Sequence, residues 1–142
     1  MTIRQISIAV ENNPGKLHRV CEILEAEQIN IKAIMSAAKL EPVQLQVVVD
    51  DPDKAVSVLN SKGYTTSTKE VIAVSAPDHP GGLNAVLRTM VEANINVESL
   101  YPFINLEGGE AILILEVDKE LEAKDIFKKN WIKTHGSEIY KS

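Results

Sequence analysis

Two short segments of the sequence repeat a Pro-Gly-x-Leu pattern: NNPGKL at residues 12–17 and DHPGGL at residues 78–83. Each lies between an apolar run and a pattern typical of a helix. Proline suits the first turn of a helix, and glycine allows close approach to the backbone. The first N–H groups of a helix lack acceptors within it, so with the helix dipole they attract a carboxylate or phosphate. Both segments therefore predict a corner where an α-amino acid could place its carboxylate.

The repeated corner also has a purely structural interpretation. Pro-Gly is common where a strand turns into a helix, and Asn12 or Asp78 is of a type that caps helices. Duplication of a folding unit would preserve such a turn just as it would preserve a binding site. The pattern alone leaves both interpretations open.

Other residues with reactive or metal-binding side chains give weaker patterns. His18 and Glu22 lie four residues apart on a predicted helix, within reach of one metal, but a third ligand is missing. His79 beside Asp78 suggests an acid–base pair, yet no nucleophile accompanies it. Cys21 falls on an apolar helical stripe, which is more typical of a small buried side chain than of a nucleophile. We therefore predict no catalytic residue, no metal site and no cofactor.

The composition is that of a soluble globular protein: of 142 residues, 44% are hydrophobic and 25% are charged. A formal net charge of -5 argues against nucleic-acid binding, which requires clustered positive charge. No apolar run approaches the roughly 20 residues of a membrane span, and the N-terminus lacks the apolar segment of a signal peptide. A single cysteine fits a reducing interior. We expect a cytoplasmic protein that binds neither membrane nor nucleic acid.

The two corners belong to a longer internal repeat at an offset of 66 residues. Repeats of this kind indicate duplicated structural units. We therefore divide the chain into domains of residues 1–69 and 70–142. The matching residues are Pro14, Gly15 and Leu17 with Pro80, Gly81 and Leu83, Val20 with Val86, and 29–31 with 95–97.

Each copy has the pattern strand, helix, strand, strand, helix, strand. With right-handed crossovers, this order forms a four-stranded antiparallel sheet with both helices on one face, the ferredoxin-like arrangement. The predicted fold class is thus α+β, with two βαββαβ units. Asp51 and Pro52 mark a helix start. Strands are predicted at 3–10, 29–40, 43–50, 64–71, 70–76, 95–105, 110–117 and 137–141, helices at 14–28, 51–63, 81–94 and 118–130, and hairpin turns at 41–42 and 106–109.

The segments ENNPGKLHRVCEILEAEQINI and APDHPGGLNAVLRTMVEANINV resemble the opening of ACT domains, the small-molecule regulatory modules of amino-acid metabolism. The family pattern is a strand, then Pro-Gly-x-Leu, an amphipathic helix, and an exit through Ile-Asn-Ile or Ile-Asn-Val. Both copies match this pattern, and the element order matches over nearly the whole chain. The resemblance implies a stand-alone tandem ACT protein.

In ACT domains, units pair side by side, so the resemblance implies one extended sheet with four helices on one face. Effector amino acids bind at the interface of the pair, through the strand-to-helix loop and the asparagine that begins the second strand. Some members have a polar side chain where this chain has Val10 and Ala76, so the class of ligand stays open. Carried over to this sequence, the implied ligand-binding residues are Asn12, Asn13, Gly15, Lys16, Asn30, Asp78, His79, Gly81, Gly82 and Asn96.

The function implied by the resemblance is allosteric regulation by a bound small molecule, which we expect to be an amino acid. The regulated enzyme would be a separate chain, and we expect a homodimer because symmetric pairs are the commonest oligomers. Two alternatives remain open at this point. One is a small enzyme on a ferredoxin-like scaffold, for which no convergent nucleophile, base and oxyanion site is found. The other is a purely structural dimerisation module.

Overall fold

The structure, a computed structural model, describes residues 2–37, 43–104 and 110–141. A short 3-10 helix, Ser137–Lys141, ends the described chain. The predicted turns at 41–42 and 106–109 lie outside the described residues. The strands are Ile3–Val10 (β1), Ile31–Ala37 (β2), Val43–Val49 (β3), Thr66–Pro77 (β4), Val97–Pro102 (β5), Glu110–Val117 (β6) and Thr134–His135 (β7), and the helices are Lys16–Ala26 (α1), Pro52–Ser61 (α2), Gly82–Glu92 (α3) and Glu120–Lys129 (α4).

The chain divides into two compact units. The first is Arg4–Lys69, and the second comprises the described residues from Glu70 onward together with Thr2 and Ile3. The long strand β4 contributes its first residues to the first unit and the remainder to the second. Each unit contains an antiparallel sheet and two helices, which confirms the predicted α+β fold of two ferredoxin-like repeats.

In the first unit, β3 lies between β1 and β2 and pairs antiparallel with both. Alternate residues of β1 and β3 point to one face, because successive side chains of a strand point to opposite sides. As predicted, helix α2 begins at Pro52 with Asp51 as its N-cap, and the Asp51 carboxylate accepts a hydrogen bond from the Lys54 N–H at 3.2 Å. Both helices pack on that one face and bury a continuous core: Ile6, Ile8, Val10, Val20, Leu24, Val43, Leu45, Val47, Val49, Ala55 and Leu59.

The second unit repeats this arrangement, with β4 and β5 both paired to β6 and with β7 paired to β4. A register shift between Val97 and Ser99 interrupts the ladder of β5 with β6. The two helices again cover one face of the sheet. They bury a core of their own: Ile72, Val74, Ala76, Val86, Met90, Leu115, Val117, Ala123 and Phe127.

All four helices end in the same backbone motif. In each, the residue two positions after the C-cap donates its N–H to a carbonyl of the last helical turn. After α4, for example, the Ile132 N–H donates to the Phe127 carbonyl at 2.9 Å. The motif requires a left-handed residue just before that N–H, a conformation that glycine adopts most easily. The four residues in that position are Gln28 (φ 57°), Gly63 (φ 92°), Asn94 (φ 55°) and Trp131 (φ 59°).

The predicted last strand at 137–141 is wrong. The last strand is β7, in which His135 lies opposite Ala73 of β4, and residues 137–141 form the 3-10 helix. Gly136 separates the two, because its N–H donates to Glu138 Oε1 at 2.9 Å and its carbonyl accepts from the Ile139 N–H at 3.2 Å. The bond from Gly136 also lowers the pKa of the Glu138 carboxyl.

Strand β7 is held to β4 by a side-chain bond in addition to its backbone pairing. Ser75 Oγ lies 2.7 Å from His135 Nε2, and the Ser75 N–H donates to the Lys133 carbonyl at 3.0 Å. Ser75 is buried, so water cannot readily replace its partner. This short strand therefore depends on one serine of the sheet.

We expect Ser75→Ala to lower the free energy of unfolding by about 1–2 kcal/mol, because it removes the partner of a part-buried imidazole nitrogen. Ser67→Ala, at an exposed position of the same strand, should change that free energy by less than about 0.5 kcal/mol. Urea unfolding followed by circular dichroism measures both changes. Equal effects of the two substitutions would contradict a stabilising role for this bond.

Candidate ligand-binding site

The two Pro-Gly corners have the same backbone geometry. Gly15 and Gly81 are the N-cap residues of α1 and α3, with φ values of 84° and 86°. A β-carbon at either position would meet no atom within 4 Å, so the backbone conformation, not crowding, favours glycine there. The alternative in which Asn12 or Asp78 caps the helix is wrong, because the N-cap is glycine in both helices and makes no side-chain bond.

Each corner leaves backbone donors at the start of its helix. In the first, the Lys16 N–H donates to the Asn13 carbonyl at 3.3 Å and the Arg19 N–H donates to the Gly15 carbonyl at 3.0 Å. The N–H groups between them, of Leu17 and His18, have no acceptor among the described residues. The second corner repeats this pattern. The predicted free amides are therefore present in both copies.

A cavity of about 260 Å³ opens beside the first corner. Its wall brings together two cations, Lys16 and Arg19, with the carboxylate of Glu11 and the amide of Asn13. Asn13 Nδ2 donates to Glu11 Oε2 at 3.3 Å, whereas Asn13 Oδ1 is buried and has no partner among the described residues. Lys16 Nζ donates to Asn12 Oδ1 at 2.5 Å. The remaining lining residues are Ala9, Val10, Gly63, Tyr64 and Thr65.

These groups are chemically matched to a small zwitterion. A carboxylate is stabilised by the ammonium and guanidinium groups of Lys16 and Arg19. An ammonium group needs acceptors, and the unpaired Asn13 Oδ1 and the Glu11 carboxylate are the acceptors of this wall. An unpaired buried oxygen is unfavourable until it is given a donor.

The second corner has a different character. Asp78 and His79 are exposed, and His79 Nδ1 lies 2.8 Å from the Pro80 carbonyl oxygen instead of pairing with Asp78. A β-carbon on Gly82 would lie 1.9 Å from the Pro77 carbonyl oxygen. Gly82 is therefore required by the close approach of the preceding strand end.

Asn30 and Asn96 are not brought to the corner of their own unit. The Asn30 N–H donates to Asp50 Oδ1 and the Asn96 N–H donates to Asp118 Oδ1, both at 3.0 Å. These pairs lie at the C-terminal end of the helix that starts at the corner, about 16 Å away for the 11 residues of α1. Within one unit, the predicted ligand-binding residues therefore lie at opposite ends of the helix that starts at the corner.

Several lining residues were missed by sequence reasoning. Arg19 lies one helical turn after Lys16, a spacing that puts both side chains on one helix face and so could have identified it. Tyr64 and Thr65 come from the far end of the unit, where the Ala9 N–H donates to the Thr65 carbonyl at 3.1 Å. No local pattern predicts that pairing.

His18 Nε2 lies 3.4 Å from Glu22 Oε1 on the exposed face of α1. Across residues 2–37, 43–104 and 110–141, no group of three His, Cys, Asp or Glu side chains is placed to hold a metal ion. None of the helices described in those same ranges has the length and apolar character that crossing a membrane requires.

A family model described as an ACT domain pair matches residues 1–137. The chain belongs to this ACT family. A comparison with curated proteins finds no match.

Solved structures resemble the ACT chain over most of its length. A crystal structure of a Bacteroides thetaiotaomicron protein is 29% identical, covers 100% of this chain and 98% of its own, and has a TM-score of 0.91. The ligand-free regulatory subunit of aspartate kinase from Thermus thermophilus is 13% identical, with 91% and 93% coverage and a TM-score of 0.66. The regulatory subunit of aspartate kinase from Thermus flavus is 15% identical, with 89% and 88% coverage and a TM-score of 0.65.

The two corners should respond differently to a side chain at equivalent positions. We expect Gly82→Ala to lower the free energy of unfolding by about 1–3 kcal/mol, because the new methyl group must displace the Pro77 carbonyl. Lys16→Ala, the matched position of the first corner, should change it by less than about 0.5 kcal/mol. Thermal and urea unfolding measure both. If Gly82→Ala lowers the free energy of unfolding no more than Lys16→Ala does, the role assigned to Gly82 is contradicted.

Proposed function

We propose that this ACT domain pair is a regulatory protein that binds a small amino acid at its first corner. The observation that supports this proposal is the cavity beside Gly15, where Lys16 and Arg19 face Glu11 and an unpaired Asn13 oxygen. In this proposal the ligand carboxylate lies near the two cations and the start of α1, where the helix dipole also favours negative charge. The ligand ammonium group donates to Asn13 Oδ1 and to Glu11.

We propose further that each chain binds one ligand. At the second corner, the residues equivalent to Lys16 and Arg19 are Gly82 and Ala85, so both cations are missing. Pro77 stands in the place of Glu11. The second corner therefore lacks equivalents of the three charged groups that the first corner offers to the two ends of a zwitterion.

The complete site is proposed to lie at an interface between ACT units. Asn30 and Asn96 lie at the far end of their own units, so a site that uses them with a corner needs a second unit. Ligand binding then favours one packing of units over another, since a ligand shifts an equilibrium only by its different affinities for the two states. This is the proposed means of regulation.

We also propose partners for this chain. The resemblance to regulatory subunits of aspartate kinase is in keeping with a chain that regulates a separate enzyme of amino-acid metabolism. We propose a homodimer as the working form, in the cytoplasm. The single cysteine, Cys21, is free, which suits a reducing compartment.

Calorimetric titration with each standard amino acid tests the proposal. We expect one amino acid to bind with a stoichiometry of one per chain and to raise the melting temperature, since a ligand at 100 times its Kd adds roughly 2.7 kcal/mol of stability. Lys16→Ala should raise Kd at least about tenfold, because a hydrogen bond between charged groups contributes about 1.5–3 kcal/mol. Lys141→Ala, which removes an exposed lysine of the second unit, is the control and should leave Kd unchanged.

Three results would contradict the proposal. These are no binding of any amino acid, a stoichiometry of two per chain, or equal effects of Lys16→Ala and Lys141→Ala. Acetate and methylammonium, each offered separately, show whether both ends of the zwitterion are recognised. Comparable affinity of acetate alone would point to an anion site instead of an amino-acid site.

A further inference from the structure

The cavity beside the first corner is lined by unequal numbers of positive and negative side chains. Its charged lining residues are Lys16, Arg19 and Glu11, which are two cations and one carboxylate. An amino acid with an uncharged side chain brings one carboxylate and one ammonium group, so it would leave one cation of the cavity without an anionic partner. Charged groups across an interface are arranged so that their potentials are complementary. The cavity therefore matches a ligand that has one more negative than positive charge.

The three charged side chains do not neutralise one another. Although all three line one cavity of about 260 Å³, Glu11 forms no ion pair with either cation within the part of the chain that the structure describes. The Arg19 guanidinium likewise has neither a hydrogen-bond acceptor nor an ion-pair partner among the described residues. The next carboxylate along α1, Glu22, instead has its Oε1 3.4 Å from His18 Nε2. Arg19 therefore keeps its donors available for a ligand.

Lys16 is positioned for a carboxylate at the start of α1. Its N–H donates to the Asn13 carbonyl at 3.3 Å, and its Nζ donates to Asn12 Oδ1 at 2.5 Å. One of the three ammonium donors is thus used, and two remain for a ligand. The N–H groups of Leu17 and His18, which have no acceptor among the described residues, follow directly in the chain. Together these groups offer a single carboxylate enough donors, so it does not need Arg19 as well.

Arg19 lies one turn further along α1. Residues three apart on a helix share a face, and the helix rises about 4.5 Å between them. A guanidinium group presents parallel N–H donors that match both oxygens of one carboxylate. Arg19 is thus placed to bind a second carboxylate of the same ligand, one turn beyond the first.

The acceptors of the cavity determine which carboxylate of the ligand lies where. Asn13 Oδ1 is buried and has no partner among the described residues, and the Glu11 carboxylate lies in the same wall. These two groups are the acceptors for the ligand ammonium group. In an amino acid the ammonium group and the α-carboxylate share one carbon, so the α-carboxylate stays at the corner beside Lys16. The side chain is then the part of the ligand that reaches Arg19.

We propose that the first corner selects an amino acid with an acidic side chain, whose second carboxylate binds the Arg19 guanidinium group. This inference rests on the proposed function, because it assumes that an amino acid binds at this corner. The volume of the cavity lies below the range of about 300–1,000 Å³ typical of pockets for drug-sized ligands, which suits a short side chain. A dicarboxylic acid without an ammonium group fits less well, because it leaves Asn13 Oδ1 without a donor and meets Glu11 with a like charge.

Amino acids that differ in charge but hardly in shape provide the test. Calorimetric titration of the full chain compares L-aspartate with L-asparagine and L-glutamate with L-glutamine. We expect at least one acid to have a Kd at least about tenfold below that of its amide, because its bond to Arg19 joins two charged groups. Succinate and glutarate, which lack the ammonium group, should bind at least about tenfold more weakly than that acid.

The possible results separate this inference from the proposed function. Equal Kd values for acid and amide mean that Lys16 and Arg19 share one carboxylate, and they overturn the inference. Tighter binding of an amino acid with an uncharged or basic side chain overturns it too, and in both cases the proposed function stands because an amino acid binds. If no amino acid binds, or if succinate or glutarate binds as tightly as the acid, the inference and the proposed function both fail.

Substitution of Arg19 locates the second carboxylate. In Arg19→Gln the Kd of the acid should rise to about that of its amide, whereas the Kd of the amide stays nearly unchanged. Lys16→Ala should instead raise the Kd of acid and amide by the same factor, because both ligands have the α-carboxylate. Arg88→Gln is the matched control and should change neither Kd, because Arg88 is an exposed arginine of α3 that does not line the cavity.

Arg19→Lys is a second variant that keeps the positive charge and removes the guanidinium fork. It should retain part of the preference for the acid, because a lysine binds a carboxylate as a point charge. Melting temperatures of the variants show that each chain is folded, which the exposed position of Arg19 favours. A folded Arg19→Gln chain that still prefers the acid to the amide as strongly as the unaltered chain sinks the idea. Complete loss of the preference in Arg19→Lys, equal to that in Arg19→Gln, contradicts the role of the charge.

Discussion

Each unit covers one face of its sheet with two helices, and the position of every functional group follows from that constraint. A helix that must lie back across the sheet starts where the preceding strand ends and finishes near where that strand began. The corner at Gly15 and the asparagine at position 30 are therefore at opposite ends of α1. The alternating apolar residues of β1 and β3 impose this geometry before any ligand is considered.

The sequence predicted those structural features that depend on residues within a single helix, strand or turn. The Pro-Gly corners, the apolar alternation of β1 and the start of α2 at Asp51 depend on a few neighbouring residues, so their patterns predicted them. The last strand was predicted at 137–141, but the bond from Gly136 to Glu138 begins a 3-10 helix there. The pairing of β7 depends on Ser75, which lies 60 residues away.

The candidate site was predictable in part for the same reason. Lys16 and Asn13 belong to the corner motif, whereas Tyr64 and Thr65 reach the cavity through strand pairing that no local pattern encodes. The unpaired oxygen of Asn13 is a property of three-dimensional packing and has no sequence signature. Whether Asn30 lies near the corner of its own unit depends on the direction of α1 across the sheet, which only the three-dimensional structure gives.

The two copies keep a common backbone and differ in what they attach to it. They share the left-handed glycine, the free amides and the helix-ending motif. They differ in charge at the corner, where Lys16 and Arg19 correspond to Gly82 and Ala85, and in bulk after the last helix, where Gly63 corresponds to Trp131. Duplication thus preserved the folding devices and left the surface chemistry free to diverge.

The contact between Gly82 and the Pro77 carbonyl also restricts how this asymmetry can change. Any side chain at position 82 would collide with a main-chain oxygen, so a lysine there, like that of the earlier corner, would lower the stability of the fold. A lysine at position 82 therefore needs a compensating movement of the Pro77 peptide. The difference in charge between the two corners is therefore easier to keep than to remove, in evolution and in protein engineering alike.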